Sequence, residues 1–551
     1  MKQIVMKNDF NKIKVCLKKI AENQPNNITS EVSSKYFLEN LTEKCVLKEL
    51  FKSIKFKEVL DHLKSDFEEL LRNGDSLFFS AYEAFLLIFS SSNEKFRQNH
   101  FEELITDYYK HFEAPKNLIE QHKNVILPLV KLQLIDNDEI AQNLLNYLKN
   151  PFIHQENIYQ IIKKKFQTND IELINFDLVT INEKFGHMSK YYHLKIRTSI
   201  NNKIQEDTLF IKLLFSDSEL VKQIAEAGAA KKESFFYNTL YPLYEEYGLR
   251  ELLDFAPKCY LATAKGLIVL ENIKYSTLKS DTFLNVEQLK LVLDKIAKFH
   301  VCSLILEELL SEKLGKPYRI YDEYPEYFQE NIIVPQGELY GWVMGGLLAT
   351  KYFIKQLQKS NKNIEEKLNN IWQKTYDQLK KSTTLRNVVN HGDMYICNMM
   401  LNSDLQDVIL FDFQLLRYLP PAFEILFFIF SSTTKETRDK YLQTLLDYYY
   451  GNLSENLKKF NLNPEELLPR TDFLRNVTEA KAAAMAVAMV YHPIHMDPQL
   501  RDQIIHAEEA GVHLDSQREK LVDLAWKDEH FRTFGTGFAK DFIELIENVD
   551  E

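Results

Sequence analysis

The stretch of sequence that decides the fold is VVNHGDMYICNMMLNSDLQDVILFDFQ, residues 388–414. Two short apolar runs, VVN and VILF, lie on either side of a polar loop. Short runs rich in β-branched residues predict strands. Asp393 comes first in the loop, Asn398 follows five residues later, and Asp412 is the second residue of FDFQ at 411–414. If the chain folds back on itself here, these three side chains converge on one site.

Two carboxylates and an amide in this order fit the chemistry of phosphoryl transfer. That reaction needs a carboxylate to orient the attacking hydroxyl and accept its proton, and oxygen ligands for Mg²⁺ beside the phosphates. Asp393 fits the first task, and Asn398 and Asp412 fit the second. His391, just before Asp393 in the catalytic loop, is expected to pack inward and brace that loop through hydrogen bonds. The alternative, a polar loop in a helical protein, does not explain the two flanking β-like runs.

The sequence upstream of this segment predicts a small β-rich lobe. Residues 171–181 and 191–200 alternate apolar and polar side chains, as half-buried strands do, and TLFIKLL at 208–214 predicts a third strand. A helix is expected at about 219–240, followed by another strand at 267–270. Beyond Val286 the pattern is mainly helical, so the chain is predicted to be an α+β protein.

Residues 1 to about 150 have apolar side chains at helical spacing, which predicts a separate helical region. Within it, SAYEAFLLIFSS at 80–91 resembles PAFEILFFIFSS at 421–432. This echo has two interpretations: two amphipathic helices of similar composition, or a remnant of a duplicated C-terminal lobe. The two interpretations remain open at this stage.

Composition narrows the class of protein. The 551-residue chain has a net charge of −11 and contains no basic stripe, which argues against a nucleic-acid partner. Its five cysteines are scattered and form no CxxC pair, so a disulfide framework is not expected. No apolar run approaches the roughly 18 residues of a membrane span, and the N-terminus lacks the apolar region of a signal peptide. A cytoplasmic protein without a membrane partner is expected, and its oligomeric state is left open.

The motif HGDMYICN followed by FDFQ resembles the HGDxWxxN and DFQ motifs of the ecdysteroid kinase-like family, also called CHK kinase-like. That family is related to choline kinases and aminoglycoside phosphotransferases. The resemblance runs from about Asn157 to the C-terminus. It implies a protein-kinase-like bilobal fold, with a β-rich N-lobe at 151–273 and a helical C-lobe at 274–551. Residues 1–150 would be an extra N-terminal α-helical region.

The resemblance also implies ATP and Mg²⁺ as cofactors and gives roles to individual residues. Asp393 matches the catalytic base, and Asn398 and Asp412 match the metal ligands. Glu424 stands where the family usually has an Asp that supports the catalytic loop. His300 lies in KIAKFHVCS, which resembles the family's LAxxHAxS helix, but we assign His300 no role because a packed core histidine is the simpler interpretation.

Further nucleotide contacts are implied upstream. Lys212 in TLFIKLLF matches the strand lysine that binds the α- and β-phosphates, and Glu233 matches the helix glutamate that pairs with this lysine. The other implied nucleotide-binding residues are Gly186 and Ser189 in the phosphate-covering turn, and Glu271 and Ile273 in the hinge segment LENI.

The expected function is ATP-dependent phosphorylation of a small-molecule alcohol, for which an ecdysteroid or another hydrophobic metabolite or xenobiotic is one candidate. The acceptor is expected between the catalytic loop and later helices, including the alanine-rich stretch 480–490 with Met485 and Met489. Two alternatives stay open. One is a kinase for a cationic acceptor such as choline or an aminoglycoside, and the other is a catalytically weak binding or scaffold protein.

Overall fold

The computed structural model describes residues 153, 155–168, 171–181, 189–201, 203–214, 228–273, 275–278, 282–335, 337, 340–402, 404, 406–509 and 515–547. The chain divides into two compact units, Met1–Ile158 and Tyr159–Glu551. The predicted helices of residues 1–150, and both interpretations of the echo within them, lie outside the described residues. The fold described below is that of the second unit and of the helix that leads into it.

A five-stranded antiparallel sheet forms the N-terminal part of this unit. Its spatial order is β1-β2-β3-β5-β4. Along β2, Leu194, Ile196 and Thr198 are buried while Lys195 and Arg197 between them are exposed, which is the alternation that predicts a strand. All the strands predicted for this lobe are present. The sequence missed β4, whose four residues are too few to establish a pattern. The strands are β1 (Ile171–Thr180), β2 (Lys190–Ile200), β3 (Lys203–Leu213), β4 (Cys259–Ala262) and β5 (Leu267–Glu271).

Between β3 and β4, one continuous helical segment over residues 229–246 carries Glu233 against the sheet. It consists of α2 (Ala229–Phe235), a π-helical turn (Phe236–Leu240) and α3 (Tyr241–Glu246). The helix was predicted to end at Leu240, but it continues for another turn. Pro242 lies in the first turn of α3, where the missing N–H of proline costs little. A 3₁₀ helix, Arg250–Phe255, then leads into β4.

The C-terminal part is helical and is built around α4 (Val286–Leu314), whose central side chains are almost all buried. Asn285 and Gln288 form a capping box at its start, and Gly315 ends it with a φ of 64°. The helix Ala422–Ser432, α8, is buried along its entire length, which explains its lack of a polar face. No helix in the described part of the chain is long and apolar enough to cross a membrane. The remaining helices are α1 (Gln155–Phe166), α5 (Ile320–Glu323), α6 (Tyr340–Gln356), α7 (Lys362–Gln378), α8 (Ala422–Ser432), α9 (Lys435–Lys459), α10 (Pro464–Leu467), α11 (Arg470–Val490), α12 (Pro498–Glu509), α13 (Asp515–Ala525) and α14 (Glu529–Glu547).

Residues 388–414 contribute strands to two separate small sheets. The run VVN is strand β7, and it pairs with β10 rather than with VILF. The run VILF contains β9, which pairs with β8, and β8 also pairs with β6. The two runs therefore bracket the polar loop as predicted, but each has a different partner, because the chain reverses direction twice within the segment. These strands are β6 (Tyr275–Thr277), β7 (Val388–Asn390), β8 (Met399–Asn402), β9 (Val408–Leu410) and β10 (Arg417–Leu419).

Candidate active site

The catalytic loop, residues 391–398, connects β7 to β8, and its backbone requires a glycine at position 392. Gly392 has a φ of 82°, a left-handed conformation that side chains disfavour. A Cβ atom built on Gly392 would lie 1.9 Å from the carbonyl oxygen of Leu415. His391 braces the same loop, as expected. Its Nε2 lies 3.0 Å from the carbonyl oxygen of Phe411, and its Nδ1 accepts from the N–H of Asp393 at 3.3 Å.

Both carboxylate oxygens of Asp393 accept hydrogen bonds, and only 3% of this residue is exposed. The Asn398 amide donates to Oδ2 at 2.8 Å, and the Tyr491 hydroxyl donates to Oδ1 at 2.5 Å. Burial raises the pKa of Asp393, and the negative charge of Asp412 raises it further.

Asn398 and Asp412 offer the oxygen donors that a magnesium site needs. The Nδ2 atom of Asn398 donates to both the side chain and the carbonyl oxygen of Asp393, which directs the amide oxygen away from that residue. The N–H of Phe411 donates to the carbonyl oxygen of Asn398 at 3.2 Å and so brings the end of β9 beside the catalytic loop. Asp412 follows with a φ of 74°. One carboxylate and one amide oxygen are suitable ligands for a hard divalent cation, so these residues fit Mg²⁺.

Lys212 on β3 lies between two carboxylates. Its Nζ atom is 2.6 Å from Oε2 of Glu233 and 2.5 Å from Oδ1 of Asp412. Burial opposes the lysine charge, but the charges of Asp412 and Glu233 outweigh burial and raise the pKa of Lys212. Burial likewise raises the pKa of Glu233, against the attraction of Lys212. Through these two ion pairs, Lys212 links the sheet to helix α2 and to the segment after β9.

A cavity of about 490 Å³ opens beside Lys212, within the size range of ligand pockets. Of the predicted residues, Lys212, Glu233, Asp412, Glu271 and Ile273 line it. Apolar side chains from both parts of the unit complete the wall, namely Phe210, Leu270, Met400 and Phe411.

One predicted contact to the nucleotide phosphates, Ser189, is not among the described residues that line this cavity. Ser189 lies at the start of β2, where its side chain forms a hydrogen bond with Tyr191. Gly186 lies outside the described residues, so its predicted place in a phosphate-covering turn stays a prediction.

Glu424 on α8 accepts hydrogen bonds from the backbone of the catalytic loop, and His300 contacts Glu424 in turn. The carboxylate of Glu424 accepts from the N–H of Gly392 at 2.6 Å and from the N–H of His391 at 3.1 Å. Nε2 of His300 lies 2.7 Å from Oε2 of Glu424, and its Nδ1 lies 2.8 Å from the Tyr449 hydroxyl. Burial alone would raise the pKa of Glu424, but its contacts with His300, His391 and Gly392 hold this pKa below its ordinary value. The motif KIAKFHVCS drew attention to His300, but it does not show the contact with Glu424, so no role was predicted for His300.

A buried arginine, also missed from the sequence, supports the loop from the other side. Arg417 donates to the carbonyl oxygen of Gly392 and, at 2.5 Å, to Oε2 of Glu330. The carboxylate of Glu330 in turn accepts from the N–H groups of Ile332 and Ile333. Nothing in the sequence around Glu330 marks this role, because the contact joins residues 87 positions apart.

Tyr491 is a further residue that the sequence did not suggest. It lies directly after α11, the helix on whose alanine-rich stretch an acceptor site was expected. Met485 and Met489 on that helix are fully buried. The side chain from this region that reaches Asp393 is Tyr491, whose ring also packs against those of Tyr395 and Phe427.

Comparison with known proteins identifies one matching family. The family model of the ecdysteroid kinase-like family matches residues 185–462, a range that contains all the predicted site residues. No curated protein matches the sequence. The match, with the antiparallel sheet followed by helices, confirms the predicted α+β, protein-kinase-like bilobal fold.

Similar solved structures include an ethanolamine kinase from Plasmodium vivax and the ADP-bound aminoglycoside phosphotransferase APH(2'')-Ib. The first is 15% identical with a TM-score of 0.33, and the alignment covers 73% of this chain and 97% of the kinase. The second is 12% identical with a TM-score of 0.28, covering 66% of this chain and 99% of the other. With TM-scores below 0.5, these structures carry no argument about the site.

Proposed function

The chain belongs to the ecdysteroid kinase-like family, a small-molecule kinase-like family, and we propose that it transfers the γ-phosphate of ATP to a hydroxyl group of a small molecule. The observation that carries this proposal is the contact network beside the cavity. Lys212 joins Glu233 to Asp412, and the catalytic loop with Asp393 and Asn398 is hydrogen-bonded to the residue before Asp412. Phosphoryl transfer depends on positioning and charge, and these are the groups that supply both.

Each side chain has a specific task in the proposed reaction. Lys212 contacts the phosphates of ATP with its positive charge, and Glu233 holds the lysine in place. Asn398 and Asp412 would hold Mg²⁺, which offsets negative charge on the phosphates when bound. Asp393 accepts the proton of the acceptor hydroxyl as its oxygen bonds to the γ-phosphorus and the bond to ADP breaks.

For the acceptor, we propose an alcohol on a hydrophobic frame, such as an ecdysteroid or another apolar metabolite or xenobiotic. The residues around the carboxylate of Asp393 support this class, because the rings of Tyr395, Tyr491 and Phe427 pack together there. The same rings favour a second candidate, since aromatic faces also attract cations such as choline. An acceptor panel separates the two.

The test has two parts, nucleotide binding and turnover. Thermal unfolding is measured with and without Mg·ATP. A ligand at a hundred times its Kd stabilises the folded protein by about 2.7 kcal/mol. ATP consumption is then measured against steroid alcohols, choline, ethanolamine and kanamycin. Asp393→Asn is the control, because it should bind Mg·ATP and turn over the acceptor about 10²–10⁴-fold more slowly. If Mg·ATP does not stabilise the wild-type protein, the kinase proposal is wrong and the binding or scaffold alternative is favoured.

A further inference from the structure

We propose that Nε2 of His193 donates a hydrogen bond to a ribose hydroxyl of the bound nucleotide, so that the protein prefers ATP to its deoxyribose counterparts. The inference rests on the proposed kinase function and deepens it, because it names a residue that selects the sugar of the phosphate donor. The sequence did not suggest His193 as a nucleotide-binding residue.

The first step of the argument is where His193 lies in the cavity. His193 on β2 pairs with Phe210 on β3, and Phe210 pairs in turn with Leu270 on β5. All three side chains line the cavity. Directly opposite residues on neighbouring antiparallel strands place their side chains on the same face of the sheet. The three residues therefore form one row across the wall that the sheet gives to the cavity.

The second step is which part of a nucleotide lies against this row. Lys212, the expected phosphate contact, follows Phe210 by two residues on β3, which is about 6.8 Å along the strand. In the other direction, β5 ends at Glu271, where the hinge segment expected to meet the base begins. The row thus lies between the base end and the phosphate end of the cavity. The ribose is the part of a nucleotide that connects the two.

The order of the strands separates His193 from the base. In the sheet, β3 lies between β2 and β5, so His193 approaches the cavity from the side away from the hinge. Phe210 and Leu270 on this wall, and Met400 and Phe411 from the other part of the unit, are apolar and suit the flat faces of a base. Ribose hydroxyl groups need a polar partner when they are removed from water. His193 provides one on the ribose side of the row.

The third step is which ring nitrogen of His193 can bind a ligand. Its Nδ1 is buried and has no hydrogen-bond partner in the part of the chain that the structure describes. The side chain is half-buried and lines the cavity, so Nε2 is the nitrogen that can meet a ligand. In a neutral imidazole only one nitrogen carries a proton, and burying an N–H without an acceptor is costly. The proton is therefore favoured on Nε2, which makes Nε2 a donor toward the cavity.

The experiment compares the binding of three nucleotides to the full chain by calorimetric titration in the presence of Mg²⁺: ATP, 2′-deoxy-ATP and 3′-deoxy-ATP. The readout is the ratio of each deoxynucleotide's Kd to that of ATP. We expect the wild type to bind one of the two deoxynucleotides about threefold to tenfold more weakly than ATP, the factor that corresponds to one hydrogen bond between neutral groups.

Two substitutions of His193 test whether this preference comes from its Nε2. His193→Phe keeps a ring and removes both nitrogens, so it should bind ATP about threefold to tenfold more weakly and lose the preference for ribose. His193→Gln places an amide N–H close to the position of Nε2 and should recover part of the preference. A purely structural role for His193 would weaken the binding of all three nucleotides equally and leave the ratio unchanged. The melting temperature without nucleotide checks that each variant is folded.

Tyr192→Phe is the matched control, because it also removes a polar group from a ring on β2. Successive side chains of a strand point to opposite faces, and Tyr192 is not among the described residues that line the cavity. This variant should keep the wild-type ratio. If the wild type binds ATP and both deoxynucleotides equally, or if His193→Phe keeps the preference, the ribose contact is refuted. If the wild type binds none of the three nucleotides, it is the kinase proposal that fails, so the two failures are distinguishable.

Discussion

Replacing Gly392 with alanine should distort the catalytic loop and lower the free energy of unfolding, by an amount that can be worked out from the structure. Two effects add at this position. Alanine at a φ of 82° costs about 1–2 kcal/mol for the left-handed conformation. In addition, the new Cβ would lie 1.9 Å from the carbonyl oxygen and 2.8 Å from the carbonyl carbon of Leu415. Both atoms belong to the backbone, so a rotamer change cannot relieve the clash, which adds roughly 1–3 kcal/mol or more.

Gly248 provides the control for the first effect. Its φ is also 82°, but a Cβ at this position would meet nothing within 4 Å. Gly248→Ala should therefore lose only the conformational cost of about 1–2 kcal/mol, whereas Gly392→Ala should lose roughly 2–5 kcal/mol. The change in unfolded-chain entropy is the same for both substitutions and cancels in the comparison.

The assay is urea unfolding of both variants and the wild type, together with turnover once an acceptor is known. Gly392→Ala should also reduce turnover about a hundredfold, because a shift of about 1 Å in Asp393 misaligns the proton acceptor. Gly248→Ala should keep normal turnover. Equal losses of stability in the two variants, with turnover intact in Gly392→Ala, would refute the proposed close contact between the catalytic loop and Leu415.

Three further substitutions test other parts of the site. Asp393→Asn should lower turnover about 10²–10⁴-fold in a steady-state assay while Mg·ATP still raises the melting temperature. Lys212→Met should abolish stabilisation by Mg·ATP and lower the free energy of unfolding by about 3–5 kcal/mol, since Glu233 and Asp412 lose their cation. Glu424→Gln should cost about 2–3 kcal/mol in urea unfolding at pH 7, because an amide group would face one of three donors. Because the folded-state pKa of Glu424 is lowered, its carboxylate stabilises the fold fully above the unfolded-state pKa of about 4.3, and this stabilisation is lost as the pH falls through the folded-state pKa. The free energies of unfolding of the wild type and of Glu424→Gln should therefore converge at acid pH. If they do not, the role assigned to Glu424 is wrong.

Much of the fold could be predicted from local patterns. The strands of the N-terminal sheet follow from alternation along the chain, and the mainly helical pattern expected beyond Val286 agrees with α4 and the helices that follow it. The pairing of VVN and VILF could not be predicted, because both runs are three or four residues long and neither specifies its partner. Strand pairing is decided by which edges the rest of the chain brings together.

The chemical centre of the site was visible in the sequence because it is concentrated in one segment. Asp393, Asn398 and Asp412 lie within twenty residues of one another, and their order has a chemical meaning. His300 was named from its motif but given no role, since a motif does not show which atom a side chain contacts. Its contact with Glu424 joins residues 124 positions apart.

The sequence by itself determined which groups can carry out phosphoryl transfer, because residue type and order are local properties that the chain states directly. Only the tertiary structure decided how those groups are held. Glu424, Arg417 and Tyr491 reach the catalytic loop from distant segments, and each would be an ordinary helix, strand or loop residue in isolation. The physical reason is that a buried hydrogen bond depends on distance and direction in space, and packing brings together residues that the order of the chain keeps apart.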